Sequence, residues 1–250
     1  MKHLLILLFV LGSLNPARSQ DVNALLQEAK KFEIALDENA AFNKYKEILN
    51  IQPTDVYALT RCSELAGSIG GREPDKNKKA EIYEASKTYA ETALQVSAGD
   101  AGANAARAII ADRLSEIHSG KERMENLRDV KKYADLSINT DLRYAKGLYI
   151  LGKWNLVVST MSSIDRTAAK VIFGGMPDAS LDKAILLMEK ARSIDQFLVV
   201  NYLELAKAYV KNHQSDKAID VLNKMIKLPN RTQDDPALKA EGKKMVAELQ

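Results

Sequence analysis

Few residues in this 250-residue chain could carry covalent or acid–base chemistry. It has three histidines and one cysteine. His118 and His213 sit in polar stretches, Ile117-His118-Ser119 and Asn212-His213-Gln214, that read as turns. A general base must be held against the proton it removes, and neither setting offers that, so both are read as solvated turn residues. A single cysteine, Cys62, excludes an intrachain disulfide and a cysteine-based zinc cluster; it reads as a small buried hydrophobe on a helix. Gly67-Ser68-Ile69-Gly70-Gly71 lacks the strand–turn–helix setting of a phosphate-cradling loop. No nucleophile elbow, zinc-binding helix or dinucleotide fingerprint occurs. The expectation is therefore no catalytic residue, no metal and no cofactor. Asn230-Arg231-Thr232 has the pattern of a glycosylation acceptor.

What remains is binding chemistry, which depends on the elements that place the charged side chains. Hydrophobic residues are 46% and charged residues 28%, ordinary for a folded chain with a sizeable core. Only 12 glycines and 6 prolines are present, too few for a fold of many short strands. The net charge of +3 gives no reason to expect nucleic acid as a partner.

The N-terminus has the form of a secretory signal peptide. Lys2 and His3 precede an apolar run, Leu4 to Leu11, broken by Gly12 and Pro16 and followed by Ala17-Arg18-Ser19. The run is far shorter than the roughly 20 residues a membrane span needs. The expected organisation is a leader over 1–19 and one helical-repeat domain over 20–250, exported to the periplasm or secreted, with no transmembrane segment in the mature chain.

The mature chain shows helical spacing throughout. Leu25, Leu26, Ala29 and Phe32, then Ala41, Tyr45, Ile48 and Leu49, form a hairpin ended by Pro53. Two Asp-Lys-Ala-Ile tetrapeptides place Ala184 and Ala218 34 residues apart, the tetratricopeptide period. Tyr202, Leu205, Ala206 and Tyr209 fit a first helix of such a unit, and Ala218 and Leu222 a second. Small residues let paired helices approach, and large ones fill the gaps between neighbouring hairpins. Residues 55–98 read as one pair with an insertion at 70–74, and 102–139 as another in weak register. Residues 155–179 read as a long insertion within the fourth pair, and 236–249 as a capping helix. The expected fold class is all-α, a tetratricopeptide-like superhelix with a C-terminal cap.

In such a superhelix the first helix of each pair lines the concave face. The register places Asn23, Leu26 and Lys30 there from the first unit, and Tyr57, Thr60 and Arg61 from the second. The fourth gives Lys146, Tyr149, Lys153 and Leu156, and the last Val200, Leu203, Lys207 and Val210. Converging Lys30, Arg61, Lys146, Lys153 and Lys207, with Tyr149 and Leu203 between them, would favour an anionic or amphipathic partner, a peptide or a lipid. The alternative is that these cations pair locally with acids. Trp154, Phe173, Gly174 and Pro177 mark the insertion, as a satellite core or as the wall of a groove. The functional expectation is a non-enzymatic scaffold that binds a protein or anionic ligand in its groove; the alternative is an adaptor that uses the insertion or the convex face, or a lipid-binding module.

The stretch 147–229 carries a further pattern: Gly152 with Trp154, Val158-Ser159, the Ile172-Phe173-Gly174 turn with Pro177, the Ala184 helix, Tyr202-Leu203 with Ala206-Lys207, and Leu228-Pro229 followed by acids. It resembles the regulator of microtubule dynamics family, over about the last hundred residues and more loosely upstream. The resemblance implies an all-α scaffold that binds partners, which in animal members include microtubules, organelle-contact proteins and, in one branch, phospholipid. The fold and a binding role are what it carries to this chain.

Overall fold

The computed structural model describes residues 16–250; the expected leader falls outside them but for its last four residues. Among the described residues twelve helices follow one another: α1 (Pro16–Ile34), α2 (Glu38–Ile51), α3 (Val56–Arg72), α4 (Lys76–Val96), α5 (Ala101–Ile117), α6 (Gly120–Thr140), α7 (Ala145–Ser159), α8 (Ser163–Phe173), α9 (Leu181–Ile194), α10 (Val199–Lys211), α11 (Ser215–Ile226) and α12 (Asp235–Leu249). No strand occurs among the described residues. The pairs are α1/α2, α3/α4, α5/α6, α7/α9 and α10/α11, with α12 against α10 and α11. First helices also touch in sequence, α3 on α5, α5 on α7, α7 on α10 and α10 on α12. This is a stack of hairpins in which each pair buries the apolar face of the next.

Short turns hold because acids cap the helices. Asp37, Asp55, Asp75 and Asp100 stand at the starts of α2, α3, α4 and α5, and each accepts a backbone N–H from the first turn. The expected insertion at 70–74 is instead helix and a three-residue turn: α3 runs through Gly70 and Gly71 to Arg72. A Cβ at Gly70 would lie 2.9 Å from Ile82 and Tyr83 of α4, and one at Gly71 would lie 2.5 Å from the Arg113 guanidinium of α5, so the two glycines mark where neighbouring helices come close to α3. Similarly, the expected insertion at 155–179 starts later. Leu156 and Val158 are buried within α7, and the inserted stretch is the loop and helix around α8.

The two ends of the superhelix meet. The loop between α11 and α12 reaches the turn between α1 and α2 and the end of α3. The Gln233 backbone N–H donates to Glu38 Oε1 at 3.0 Å, and Gln233 Nε2 donates to the Leu36 carbonyl at 2.5 Å. Arg72 bridges the junction, donating to Glu38 at 2.6 Å and to Asp234 at 2.5 Å. Glu38, buried at the start of α2, is thus satisfied by residues from both ends of the chain.

Candidate functional site

The concave face is built by α1, α3, α5, α7, α10 and α12. It carries a ladder of ion pairs from helix to helix. On α3, Arg61 donates to Glu33 of α1 at 2.8 and 2.9 Å and pairs with Glu64 one turn on. Glu64 also accepts from Lys146 of α7. Lys153 of α7 lies 2.6 Å from Asp112 and 2.8 Å from Glu116, both on α5. Lys207 of α10 lies 2.9 Å from Glu204 and 3.0 Å from Glu241 of α12. In this ladder six carboxylates meet four cations.

Burial sets the electrostatics. It pushes the Glu64 carboxyl up, but Lys146 and Arg61 outweigh it and hold the group below the ordinary carboxylate range. Burial penalises the Lys153 ammonium, yet Asp112, Tyr149, Glu116 and Glu204 together hold its pKa well above the usual value. Glu64 and Lys153 are therefore kept ionised by their neighbours, whereas burial pushes the Asp112 carboxyl up despite Lys153; the four cations are already paired.

The register brought Arg61, Lys146, Lys153 and Lys207 to one face, and the structure places them there. Their acidic partners were missed. Glu33, Glu64 and Glu204 stand at helical spacing from Lys30, Arg61 and Lys207, a local signal of pairing. Asp112 and Glu116 lie on α5, whose unit had no assigned register. Lys30 stands 6.0 Å from the centre of the Tyr57 ring. Tyr149 and Leu203 are buried core residues rather than groove-lining contacts.

The insertion is a packed appendage with an apolar outer side. Trp154, 1% exposed, donates from Nε1 to the Leu127 carbonyl of α6 at 2.8 Å, and its ring lies 6.3 Å from that of Phe173. Ala169, Ile172 and Phe173 join the same core. Trp154 thus fastens α8 to α6 and is not a groove wall. Gly174 ends α8 with φ 72, where a β-carbon is disfavoured, and Pro177 follows in the return loop to α9. On the other side of α8, Ile164 and Val171 are 83% and 77% exposed.

Other candidates take structural roles. His118 caps the end of α5 and its Nδ1 lies 2.9 Å from Asn126 Nδ2; His213 makes the α10–α11 turn with φ 57. Cys62 is buried and unpaired, and burial pushes its thiol up to about 12, so it is not a reactive thiolate. Among the described residues, no group of three or more His, Cys, Asp or Glu side chains is placed to hold a metal, and no helix is long and apolar enough to cross a membrane.

Residues 25–250 match the family described as Regulator of microtubule dynamics protein 1-3. The chain belongs to that family. It is 26% identical to bovine regulator of microtubule dynamics protein 1 over 192 residues, 76% of this chain and 60% of that protein. The rat regulator of microtubule dynamics protein 2 is 23% identical over 228 residues, 90% of this chain and 53% of that protein. The chain thus spans little more than half of these relatives. Among solved structures, a thermophilic TPR protein of Thermus thermophilus is similar in fold, with a TM-score of 0.63 at 14% identity, covering 90% of this chain and 99% of that one. The fold is of the tetratricopeptide type.

Proposed function

We propose that the chain is a non-enzymatic scaffold that holds a protein partner on the outer face of α8. The observation that carries this reading is the exposure of Ile164 and Val171. They lie seven residues apart, two helical turns, and so share one side of a helix whose other side is anchored by Ala169, Ile172 and Phe173. Met176, 42% exposed in the return loop, extends the apolar surface. An exposed apolar stripe on a rigid element is the usual mark of an interaction face. In the concave ladder, by contrast, each of the four cations already has a carboxylate partner.

The test places a photo-reactive residue at Thr167, between the two, in cells that make the protein. A discrete adduct with one protein is expected, and it should vanish in Ile164→Asp/Val171→Asp while the melting temperature holds. Label confined to the unadducted chain would sink the reading. Flotation of the wild type with anionic vesicles would transfer the face to a membrane surface instead.

A second reading puts an anionic or amphipathic peptide or lipid in the concave groove. It is supported by Lys30, which is exposed beside the Tyr57 ring, and by Lys207, whose side chain is 34% exposed. Lys153→Glu with Lys207→Glu should then abolish binding of an acidic peptide or anionic lipid; unchanged binding removes this reading. We also propose export to the cell envelope, from the leader form of residues 1–19. N-terminal sequencing of the protein from its host should begin at Gln20, and a retained Met1 would contradict it.

A further inference from the structure

A cavity of about 550 Å³ is walled by α9, the turn between α9 and α10, the start of α10 and the end of α11. No residue of the concave ladder lines it. Phe197, Tyr202 and Leu228 give it apolar surface, and Glu189, Arg192, Lys224 and Lys227 give it charge. The single acid is already engaged. Glu189 Oε2 accepts from Arg192 Nε at 2.9 Å and from Nη2 at 2.5 Å, and Oε1 accepts from the Tyr209 hydroxyl at 2.8 Å. Lys224 and Lys227 are exposed at the end of α11. Among the described residues, neither has a carboxylate within ion-pair distance. The cavity therefore carries surplus positive charge.

Phe197 is 38% exposed in a helix–helix turn, where small and polar residues are usual. Two contacts hold it there. Its backbone N–H donates to Asp195 Oδ1 at 3.0 Å, and the Arg231 guanidinium carbon lies 3.8 Å from its ring centre. A fixed aromatic side chain thus shares the cavity with two unpaired lysines.

Unpaired ammonium groups beside fixed apolar surface suit an anion that also carries a hydrocarbon side chain. Lys224 and Lys227 are three residues apart on α11, which sets their Cβ atoms about 5–6 Å apart. In an extended peptide, alternate side chains point the same way at about 6–7 Å, and the residue between them points to the other side. We propose that this cavity binds an extended acidic segment of a partner protein. Carboxylates at alternate positions pair with Lys224 and Lys227, and the apolar side chain between them lies on Phe197. The site is independent of the outer face of α8, and neither depends on the other.

The probe is acetyl-Glu-Leu-Glu-amide, titrated into the ¹⁵N-labelled full chain and followed by amide chemical shifts. Saturable shifts are expected at Gln196, Phe197 and Leu228, and added salt should weaken them. Acetyl-Gln-Leu-Gln-amide should bind about tenfold more weakly, the loss expected for two exposed ion pairs. Lys224→Gln with Lys227→Gln should remove the shifts. Lys243→Gln with Lys244→Gln, the same charge change on exposed positions of α12, should leave them, as should Ile164→Asp/Val171→Asp on α8. Absence of shifts, equal binding of the neutral peptide, or shifts that survive the α11 variant would each overturn the proposal. Inorganic phosphate reproducing the same shifts at the same concentration would also overturn it, and would make the cavity a site for a bare anion.

Discussion

Glu64 shows how a single carboxylate reports on the concave face. It stands between Arg61 and Lys146, with 10% of its side chain exposed. A carboxyl held below its unfolded value contributes stability that is present above that value and is lost as pH falls through the folded one. Its ordinary value is 4.5. The stability gap between wild type and Glu64→Gln, from urea unfolding at successive pH values, should therefore be full near neutrality and close below about pH 4.5. A gap that stays constant to pH 3 would show that Glu64 is not held by its cations. Lys153→Met removes the partner of a buried carboxylate, Asp112, and should cost about 3–5 kcal/mol; Lys153→Met with Asp112→Leu should recover much of that. His213 tests a different residue property. It is exposed with φ 57, so His213→Gly should raise stability by about 0.5–1 kcal/mol, a result that a buried or catalytic histidine would not give. The cations of this face were legible from register alone. The acids opposite them were not, because pairing between helices needs the register of both, and α5 offered none. Its buried residues include Ala103, Ala105, Ala106, Ala108 and Ala111, so small residues face every side and the large–small alternation that marks a repeat is absent.

At the scale of the helix, close approach is set by what lacks a side chain. A Cβ at Gly152 would lie 2.5 Å from Met188 Cγ and 3.2 Å from the Ala184 carbonyl. Gly152→Val should push α7 from α9 and cost about 1–3 kcal/mol, whereas Gly99→Ala, with open space around it, should melt like wild type. Ala218 of α11 is wholly buried in the core shared with α10, and Ala218→Leu should cost a similar amount by overpacking. A neutral melt for either large variant would contradict the packing. The five pairs and the cap were legible because apolar spacing and capping residues recur. Turn lengths were less so: a Gly-Gly read as a break is, at Gly70-Gly71, a place where a neighbouring helix comes close. The boundary of the α8 insertion slipped for a related reason. Leu156 and Val158 look equally apolar in a loop or a helix until the burial of α7 decides between them.

The whole molecule differs from an open stack in that its ends are joined. Arg72, Glu38, Gln233 and Asp234 connect residues separated by 162 to 197 positions in the chain. Arg72→Ala should leave each hairpin intact but widen the superhelix, seen as a larger radius of gyration in solution scattering; an unchanged radius would show that the ends are held by other contacts. Nothing in the sequence announced this junction, since a contact of that span leaves no local pattern. Its consequence concerns fraying. In a linear array each terminal unit has one neighbour and opens first, so protection of backbone amides from exchange falls toward both ends. Here the first hairpin cannot open without also releasing the last loop, so the two termini should exchange at one common rate, like links of a closed necklace rather than the loose ends of a string.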